Sequence, residues 1–456
     1  MRTICAISTP AAAGGLAVIR ISGADALRVA ASVFEPFGGK CVAEMAGYTC
    51  CYGRVTEDGE RLDDAVLTVF RAPHSYTGED TAELSVHGGV FSARRILRAC
   101  CRAGAELAQA GEFTKRALLN GKLSLTQAEA VMDVITAQNE QALGSANAVR
   151  EGRLYRNIRT QTNRLLGILG GLAAWVDFPE EDLPEIEPDA LAVTLVEVAQ
   201  TLRGILLDAD SGKIYREGVD TVIAGRPNVG KSTLMNLLTG YTRSIVTDIP
   251  GTTRDVVEES AMVGGILLRL SDTAGLRETA DAVEEIGVSM AKARLERASL
   301  VLAVFDGAQA LNNEDYALLA RLKGRRVVAL INKSDLGCAL DDAMLAQISA
   351  CADAVVEISA KTEVGQAALE EAIKKVLAVR PYQSGETLYA NERQRECLTR
   401  ALELLDAARA ALSAGETLDA VTVALDRAAD CLLELTGEKA TDRVVDEVFA
   451  KFCVGK

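Results

Sequence analysis

A multidomain α/β protein is the fold class this sequence predicts, and three observations predict it. Residues 1–120 carry short β-branched or alternating runs between Gly and Pro punctuation. Residues 217–379 alternate strand-like and helix-like runs, the pattern of a largely parallel, doubly wound sheet covered by helices. The flanks, 121–216 and 380–456, are helical in period.

Taken in order, Thr3 to Ser8, Leu16 to Ile21, Tyr48 to Val55, Ala65 to Phe70 and Ala82 to His87 read as strands, and Val90 to Cys101 as a helix. This is an N-terminal α+β domain. Ser124-x-x-Gln127 has the form of a capping box, followed by Leu125, Ala128, Val131, Met132 and Ile135 on one helical face. Helix-like sequence runs on to about Trp175. The acidic, proline-punctuated stretch Asp177 to Pro188 breaks it, and a second stripe follows at Leu191, Leu195, Val198, Leu202 and Ile205. After about Tyr382 three more helices are expected: Asn391 to Leu412, Leu418 to Leu435 and Ala440 to Phe452. Packing these on the helices of 121–212 makes the central domain an insertion into a helical bundle. A separate C-terminal bundle is the alternative.

Composition limits the function classes. The chain has 456 residues, is 49% hydrophobic and 25% charged, and carries a formal net charge of −15. Nucleic-acid binders usually show a net basic face, so any RNA contact is local or borrowed from a partner. No apolar run reads as a membrane span, and a cytoplasmic protein is expected. The N-terminus reads as strand, turn, strand, not as a signal peptide. Eleven cysteines without a Cys-x-x-Cys pair, and only His74 and His87, lack zinc-type spacing. Most of those thiols are expected to be reduced and packed as small hydrophobes.

The chemistry is concentrated at Gly225-Arg-Pro-Asn-Val-Gly-Lys-Ser232, with strand-like Val219 to Ala224 before it and helix-like Thr233 to Leu238 after it. Glycines at 225 and 230 let backbone N–H groups wrap a phosphate, and the helix adds its N-terminal partial positive charge. Lys231 can reach β- and γ-phosphate oxygens, and the Ser232 hydroxyl can ligate Mg²⁺. Ser271-Asp-Thr-Ala-Gly275 closes Ile266 to Leu270; Asp272 can hold Mg²⁺ through a water, and the Gly275 N–H can sense a γ-phosphate. Asn332-Lys-Ser-Asp335 ends Val327 to Ile331, and the Asp335 carboxylate suits the N1–H and N2–H₂ donor edge of guanine. Ser359-Ala-Lys361 can offer an N–H to guanine O6. Together these specify GTP.

The set resembles the G domains of the translation-factor-like, Ras-like P-loop GTPases over about residues 217–379. On that resemblance, Asn228, Val229, Gly230, Lys231, Ser232 and Thr233 contact GTP through the phosphate loop. Thr247, Asp248, Ile249, Pro250, Gly251, Thr252 and Thr253 form the first switch, with Thr253 a second Mg²⁺ ligand. Asp272, Thr273, Ala274 and Gly275 follow, and Asn332, Lys333, Asp335, Ser359, Ala360 and Lys361 hold the base. Leu276 stands where Ras-like enzymes place a water-orienting Gln, so another group must position the water. Asn228, also readable as a turn residue, implies a K⁺ site completed by Thr247, Ile249 and Thr252.

The whole chain resembles the MnmE (TrmE) family. The resemblance rests on Ile19-Arg-Ile-Ser-Gly23, Ser75-Tyr-Thr-Gly-Glu-Asp80, His87-Gly-Gly89, Gly111-Glu-Phe-Thr114, Asn120-Gly-Lys-Leu123, Phe178-Pro-Glu-Glu181 and Phe452-Cys-Val-Gly-Lys456. It implies a tRNA wobble-uridine (U34) modification GTPase. It also implies a homodimer formed through the N-terminal domain, and a heterotetramer with MnmG (GidA), which supplies FAD and NADH chemistry. A reduced folate, 5-formyl- or 5,10-methylene-tetrahydrofolate, is implied at Arg20, Glu83, Lys122 and Lys456, and Glu284 as the catalytic carboxylate acting with Lys231. Read by themselves, Arg20 and Glu83 can also be solvent-facing strand residues, and His87 reads as structural. A ribosome-assembly GTPase is the alternative function, disfavoured by the acidic charge; a dynamin-like mechanical GTPase lacks a visible membrane patch.

Overall fold

The computed structural model describes residues 1–39, 41–177, 188–240, 259–272, 298–380 and 388–456. The chain divides into two compact units. One comprises 1–135, 149–199 and 396–456; the other comprises 136–148 and 200–395.

The first unit is built on a seven-stranded sheet: β1 (Ile4–Ile7), β2 (Leu16–Ser22), β3 (Phe34–Pro36), β4 (Thr49–Glu57), β5 (Glu60–Phe70), β6 (Thr81–His87) and β7 (Glu106–Leu107). Their spatial order is β3-β4-β5-β6-β2-β1-β7, antiparallel except for β1 beside β7. Alternation along β2 sends Ala17, Ile19 and Ile21 into the core and Val18 and Arg20 to the other face. Helices Ala26–Val33 and Val90–Arg102 cover the core face, burying Val29, Ala30, Ile96 and Cys100 against Ile19, Leu67 and Leu84. Truncating Ile96 to alanine there costs about 2–5 kcal/mol.

The capping box at Ser124 forms reciprocally. The Gln127 N–H donates to Ser124 Oγ at 3.3 Å, and the Ser124 N–H donates to Gln127 Oε1 at 3.0 Å. The helix it starts, Leu125–Thr136, is shorter than the sequence expectation of one helical run to Trp175. Two further helices follow, Glu140–Arg150 and Arg153–Asp177. Asn139 caps the first of them, accepting from the Ala142 N–H at 2.7 Å. Gly152, at φ +81, turns the chain between the two. Leu154, Ile158, Leu165 and Leu172 form the buried stripe of Arg153–Asp177, which packs on Leu418–Thr436 with its own stripe at Val421, Leu425, Leu432 and Leu435. Residues 149–199 and 396–456 fall in the same unit.

Helix Pro188–Glu217 corrects the membrane reading in one respect. Its Asp189–Glu217 portion is, by length and composition, long and apolar enough to cross a membrane, the one such helix among the described residues. Its stripe at Leu191, Leu195, Val198, Leu202 and Ile205 is buried, while Val193 and Leu207 are exposed.

The second unit holds a six-stranded sheet of β8 (Val219–Ala224), β9 (Glu259–Val263), β10 (Ile266–Asp272), β11 (Leu300–Asp306), β12 (Val327–Asn332) and β13 (Ala354–Glu357). The order is β13-β12-β11-β8-β10-β9, with every pairing parallel except β9 on β10. All seven residues of β11 are buried, as a strand covered on both faces requires. Strand order reverses at β8, and ligands of such sheets bind beyond the carboxyl end of the strand at the switch point. In the core of this unit Tyr215 and Tyr389 stack at 5.8 Å, and the Tyr389 N–H donates to Ser145 Oγ at 2.8 Å.

All eleven cysteines are free, and Cys101 and Cys351 pack against core clusters. Four (Cys5, Cys51, Cys100, Cys397) are buried, but Cys41, Cys50, Cys338 and Cys453 are exposed. Burial pushes the Cys100 thiol up to about 12.

Candidate functional site

The loop after β8 sits at the switch point. Gly225 is required there because a Cβ would lie 2.5 Å from the Val304 carbonyl oxygen of β11. Gly230, at φ +101, passes so close to the Asn332 amide that any side chain collides with it. Asn228 also takes a left-handed conformation, φ +63, one that Asn tolerates better than most residues. Helix Lys231–Gly240 starts at once, so its unpaired N–H groups and partial positive charge open onto the loop. Lys231 Nζ donates to the Gly225 and Arg226 carbonyls, each at 2.8 Å, and so arches over the loop. Arg226 pairs with buried Asp315 at 3.2 Å, and Asp315 in turn closes a capping box with Asn312.

Asn332, 3% exposed, joins two of the sequence motifs. Its Nδ2 donates to the Val229 carbonyl at 2.7 Å, and its Oδ1 accepts from the Ala360 N–H at 3.0 Å. One side chain thus ties the phosphate loop to the Ser359-Ala-Lys361 turn. Asp335 Oδ1 accepts from Ser359 Oγ at 2.6 Å, and Ser359 Oγ accepts from the Thr362 N–H at 3.2 Å. Lys333, at φ +66, is fixed by Asp306 Oδ2 at 2.7 Å. Asp272 ends β10 in register with Ile223. Thr247 to Thr253, Thr273 to Gly275, Leu276 and Glu284 lie outside the described residues.

A second site lies in the first unit. Arg20 and Glu83 are cross-strand partners on the sheet face opposite the core, joined Nε to Oε1 at 2.7 Å. The Arg20 guanidinium lies over Tyr76 and Phe113 at 5.7 and 5.6 Å, and donates to the Gly455 carbonyl at 3.4 Å. The chain's last residues are held in place. Ser8 Oγ donates to Gly455 O at 3.0 Å, the Gly111 N–H donates to Cys453 O at 3.3 Å, and Val454 bridges Ala110. Lys456 is thereby delivered to the same cavity, of about 550 Å³, as Arg20 and Glu83. Phe70, Tyr76, Leu123, Val131, Val134 and Ile135 wall it, with Thr81, Arg150 and Glu151 completing the lining. Lys122 is not among the lining residues; its Nζ donates to the Pro73 carbonyl at 3.0 Å. Arg150 and Glu151, at the junction of two helices, are not singled out by the sequence. The turn at Gly152 is the only sequence signal near them.

The remaining motif residues support this wall. Ser22 Oγ bonds Thr77 Oγ1 at 2.7 Å and Glu79 at 2.9 Å, buried Arg116 bridges Glu79 and Glu112, and Asn120 donates to the Thr77 carbonyl at 2.7 Å. Tyr76 OH meets Thr114 Oγ1 at 2.8 Å, and burial holds its phenol above the ordinary range. His87 stays outside the cavity, with Nδ1 2.6 Å from Asp63 Oδ1, a contact that raises its pKa.

A phosphate-cradling loop at the switch point, tied by Asn332 to the Ser359-Ala-Lys361 turn that Asp335 bonds, defines a P-loop guanine-nucleotide-binding protein. The family model of the MnmE helical domain matches residues 125–453, and that of the GTP-binding protein TrmE N-terminus matches 3–122. Curated relatives named tRNA modification GTPase MnmE align over essentially their whole lengths. Those from Listeria welshimeri serovar 6b (41% identical over 456 residues), Heliobacterium modesticaldum (42% over 463) and Symbiobacterium thermophilum (43% over 456) each cover 100% of this chain and 99% of their own. The chain belongs to the MnmE family of GTPases. Among solved structures, the G domain of the T. maritima FeoB iron transporter is 31% identical over 35% of this chain and 98% of its own, with TM-score 0.26. A point variant of Aquifex aeolicus Era bound to GDP·AlF₄⁻ is 27% identical over 41% of this chain and 66% of its own, with TM-score 0.27. At those scores neither likeness bears on this chain.

Proposed function

We propose that this chain is the GTP-hydrolysing subunit of a tRNA-modifying complex. In this reading the complex adds an aminomethyl or carboxymethylaminomethyl group at C5 of the wobble uridine, in the cytoplasm. The observation that carries the reading is the full-length alignment to relatives named tRNA modification GTPase MnmE. The reading assigns residues 1–120 to dimerisation and reduced-folate binding, 217–379 to GTP, and 121–216 with 380–456 to the helical scaffold. The partner is MnmG, in a heterotetramer.

In the nucleotide site, Lys231 and the helix N-terminus hold phosphate oxygens while Asp335 and the Ala360 N–H read the base. Ser232 is exposed at the first turn, an oxygen donor of the kind Mg²⁺ takes alongside phosphates, and Thr253 and Asp272 complete that set. Mg²⁺, when bound, neutralises charge on the phosphates. Left-handed Asn228, beside the cradle, fits a role in holding K⁺ with Thr247, Ile249 and Thr252. Glu284 positions the attacking water in place of the Gln that Leu276 replaces.

In the cavity, Glu83 provides an acceptor for a pterin donor edge, and the apolar walls fit a flat ring. The deciding experiment is mass spectrometry of wobble uridines from cells lacking the protein, complemented with the parent or with Lys231→Ala. Loss of the modification restored by the parent alone is expected; an unchanged uridine profile in the deletion overturns the reading. Single-turnover hydrolysis in KCl and NaCl tests K⁺, and equal rates discard it.

A further inference from the structure

Of the three cations expected at the 550 Å³ cavity, Arg20, Lys122 and Lys456, the first is already engaged. Arg20 is bound to Glu83 and to the Gly455 carbonyl, and its guanidinium face is stacked on Tyr76 and Phe113. Its remaining capacity is that of a support: it orients Glu83 as an acceptor and pins the chain's last residues. Lys122, also expected there, is turned to Pro73. For a ligand with an anionic end, the lining leaves Lys456, a point charge, and Arg150.

Of the two, Arg150 has the planar fork that matches a carboxylate. It is exposed in the cavity lining, and its positive charge acts on the Tyr76 phenol across the cavity. Its backbone is fixed, because Gln127 Nε2 donates to the Arg150 carbonyl at 3.0 Å and Gly152 turns the chain immediately after it. Among the described residues, nothing forms an ion pair or side-chain hydrogen bond with its guanidinium. A guanidinium offers a planar pair of donors that matches a carboxylate, which a lysine does not. The lining thus offers two chemical groups: the acceptor Glu83, half-buried and bonded by Arg20, and the exposed donor fork of Arg150.

We propose that Arg150 reads the carboxylate tail of the ligand, making the cavity selective for a glutamyl-bearing reduced pterin over the tail-less ring. The proposal rests on the reduced-folate reading given above. It adds a specificity residue to that site and assigns Arg20 a positioning role.

The test is calorimetric titration of the full-length protein and its Arg150→Ala and Arg150→Lys variants with two probes. One is 5-formyl-tetrahydrofolate, which carries the tail; the other is 6-methyl-tetrahydropterin, which lacks it. Arg150→Ala is expected to weaken 5-formyl-tetrahydrofolate binding about tenfold, the scale of one charge-assisted hydrogen bond partly open to solvent. Affinity for the tail-less pterin stays within about twofold, and Arg150→Lys falls between parent and Ala for the tailed probe. Equal weakening of both probes, or of neither, overturns the role of Arg150 while leaving the folate reading intact. A parent protein that binds neither probe overturns the folate reading itself, and this inference with it.

Discussion

Replacing Asn332 with alanine isolates the tie between the phosphate loop and the base-reading turn. The change removes a donor from the Val229 carbonyl and an acceptor from the Ala360 N–H, bonds of 2.7 and 3.0 Å. Val229 and Ala360 are 0% and 5% exposed, so water does not readily replace either partner. A buried backbone group left without a partner costs about 1–3 kcal/mol, which puts the pair at about 2–6 kcal/mol. Asn332→Asp separates the two bonds. It keeps an oxygen for the Ala360 N–H but sets a second oxygen against the Val229 carbonyl. Hydrogen–deuterium exchange read on a peptide containing Ala360, with titration of a fluorescent GDP analogue, follows both ends of the tie. In Asn332→Ala, Ala360 is expected to exchange about 5- to 150-fold faster. In Asn332→Asp its protection is retained. Nucleotide affinity drops at least about tenfold in both variants, because the loop is no longer held to the turn. Parent-like exchange at Ala360 in the alanine variant, with full nucleotide affinity, would falsify the view that this side chain organises the site.

Three further outcomes are expected. Asp335→Asn exchanges a carboxylate for an amide at the guanine edge, so calorimetry should record GTP affinity falling about tenfold or more while xanthosine triphosphate binding is gained. Gly455→Ala forces a side chain into a backbone at φ +98, with its Cβ 2.5 Å from the Ile7 carbonyl. It should displace Lys456 and weaken 5-formyl-tetrahydrofolate binding about tenfold without changing GDP affinity, at a strain of about 1–2 kcal/mol. Asp63→Asn should lower the His87 pKa toward its ordinary 6.5 in an NMR titration, since the Asp63 hydrogen bond raises it. Because the folded pKa lies above the unfolded one, the Asp63 contact stabilises the fold fully below the unfolded value. That contribution fades as pH rises through the folded value.

Legibility from sequence follows locality. The phosphate loop is readable because its glycines, lysine and serine are contiguous and the flanking periods change from strand to helix at the right places. Each C-terminal helix lies within a few residues of its expected bounds, since Val421, Leu425, Leu432 and Leu435 mark a stripe without help from elsewhere. Strands β3 and β7, of three and two residues, carry no period to detect. The break at Gly152 is hidden inside a run of helix formers on either side. Asn332 reads from its motif as a base reader alone. Its second role depends on Val229, 103 residues earlier, and on Ala360, 28 later, and no spacing rule encodes that. Arg150 stays hidden for a related reason: a charged residue at a helix end ordinarily faces water, and only the fold brings it beside Tyr76.

The docking of residues 453–456 has a consequence for how the protein is made. Ser8 and Gly455 are 447 positions apart, yet they touch, and the cavity is lined from both ends of the chain. During synthesis, the first sheet emerges hundreds of residues before Lys456. The N-terminal domain can therefore fold early, but its cavity stays incomplete until residues 453–456 have been made. The phosphate loop has no such dependence, because its tie to Ala360 closes about a hundred residues before Lys456 is made. A chain stalled or clipped between Ala360 and Gly455 would therefore carry a finished phosphate loop and an unfinished cavity, which makes ligand capture in that cavity a readout of whether residues 453–456 are present.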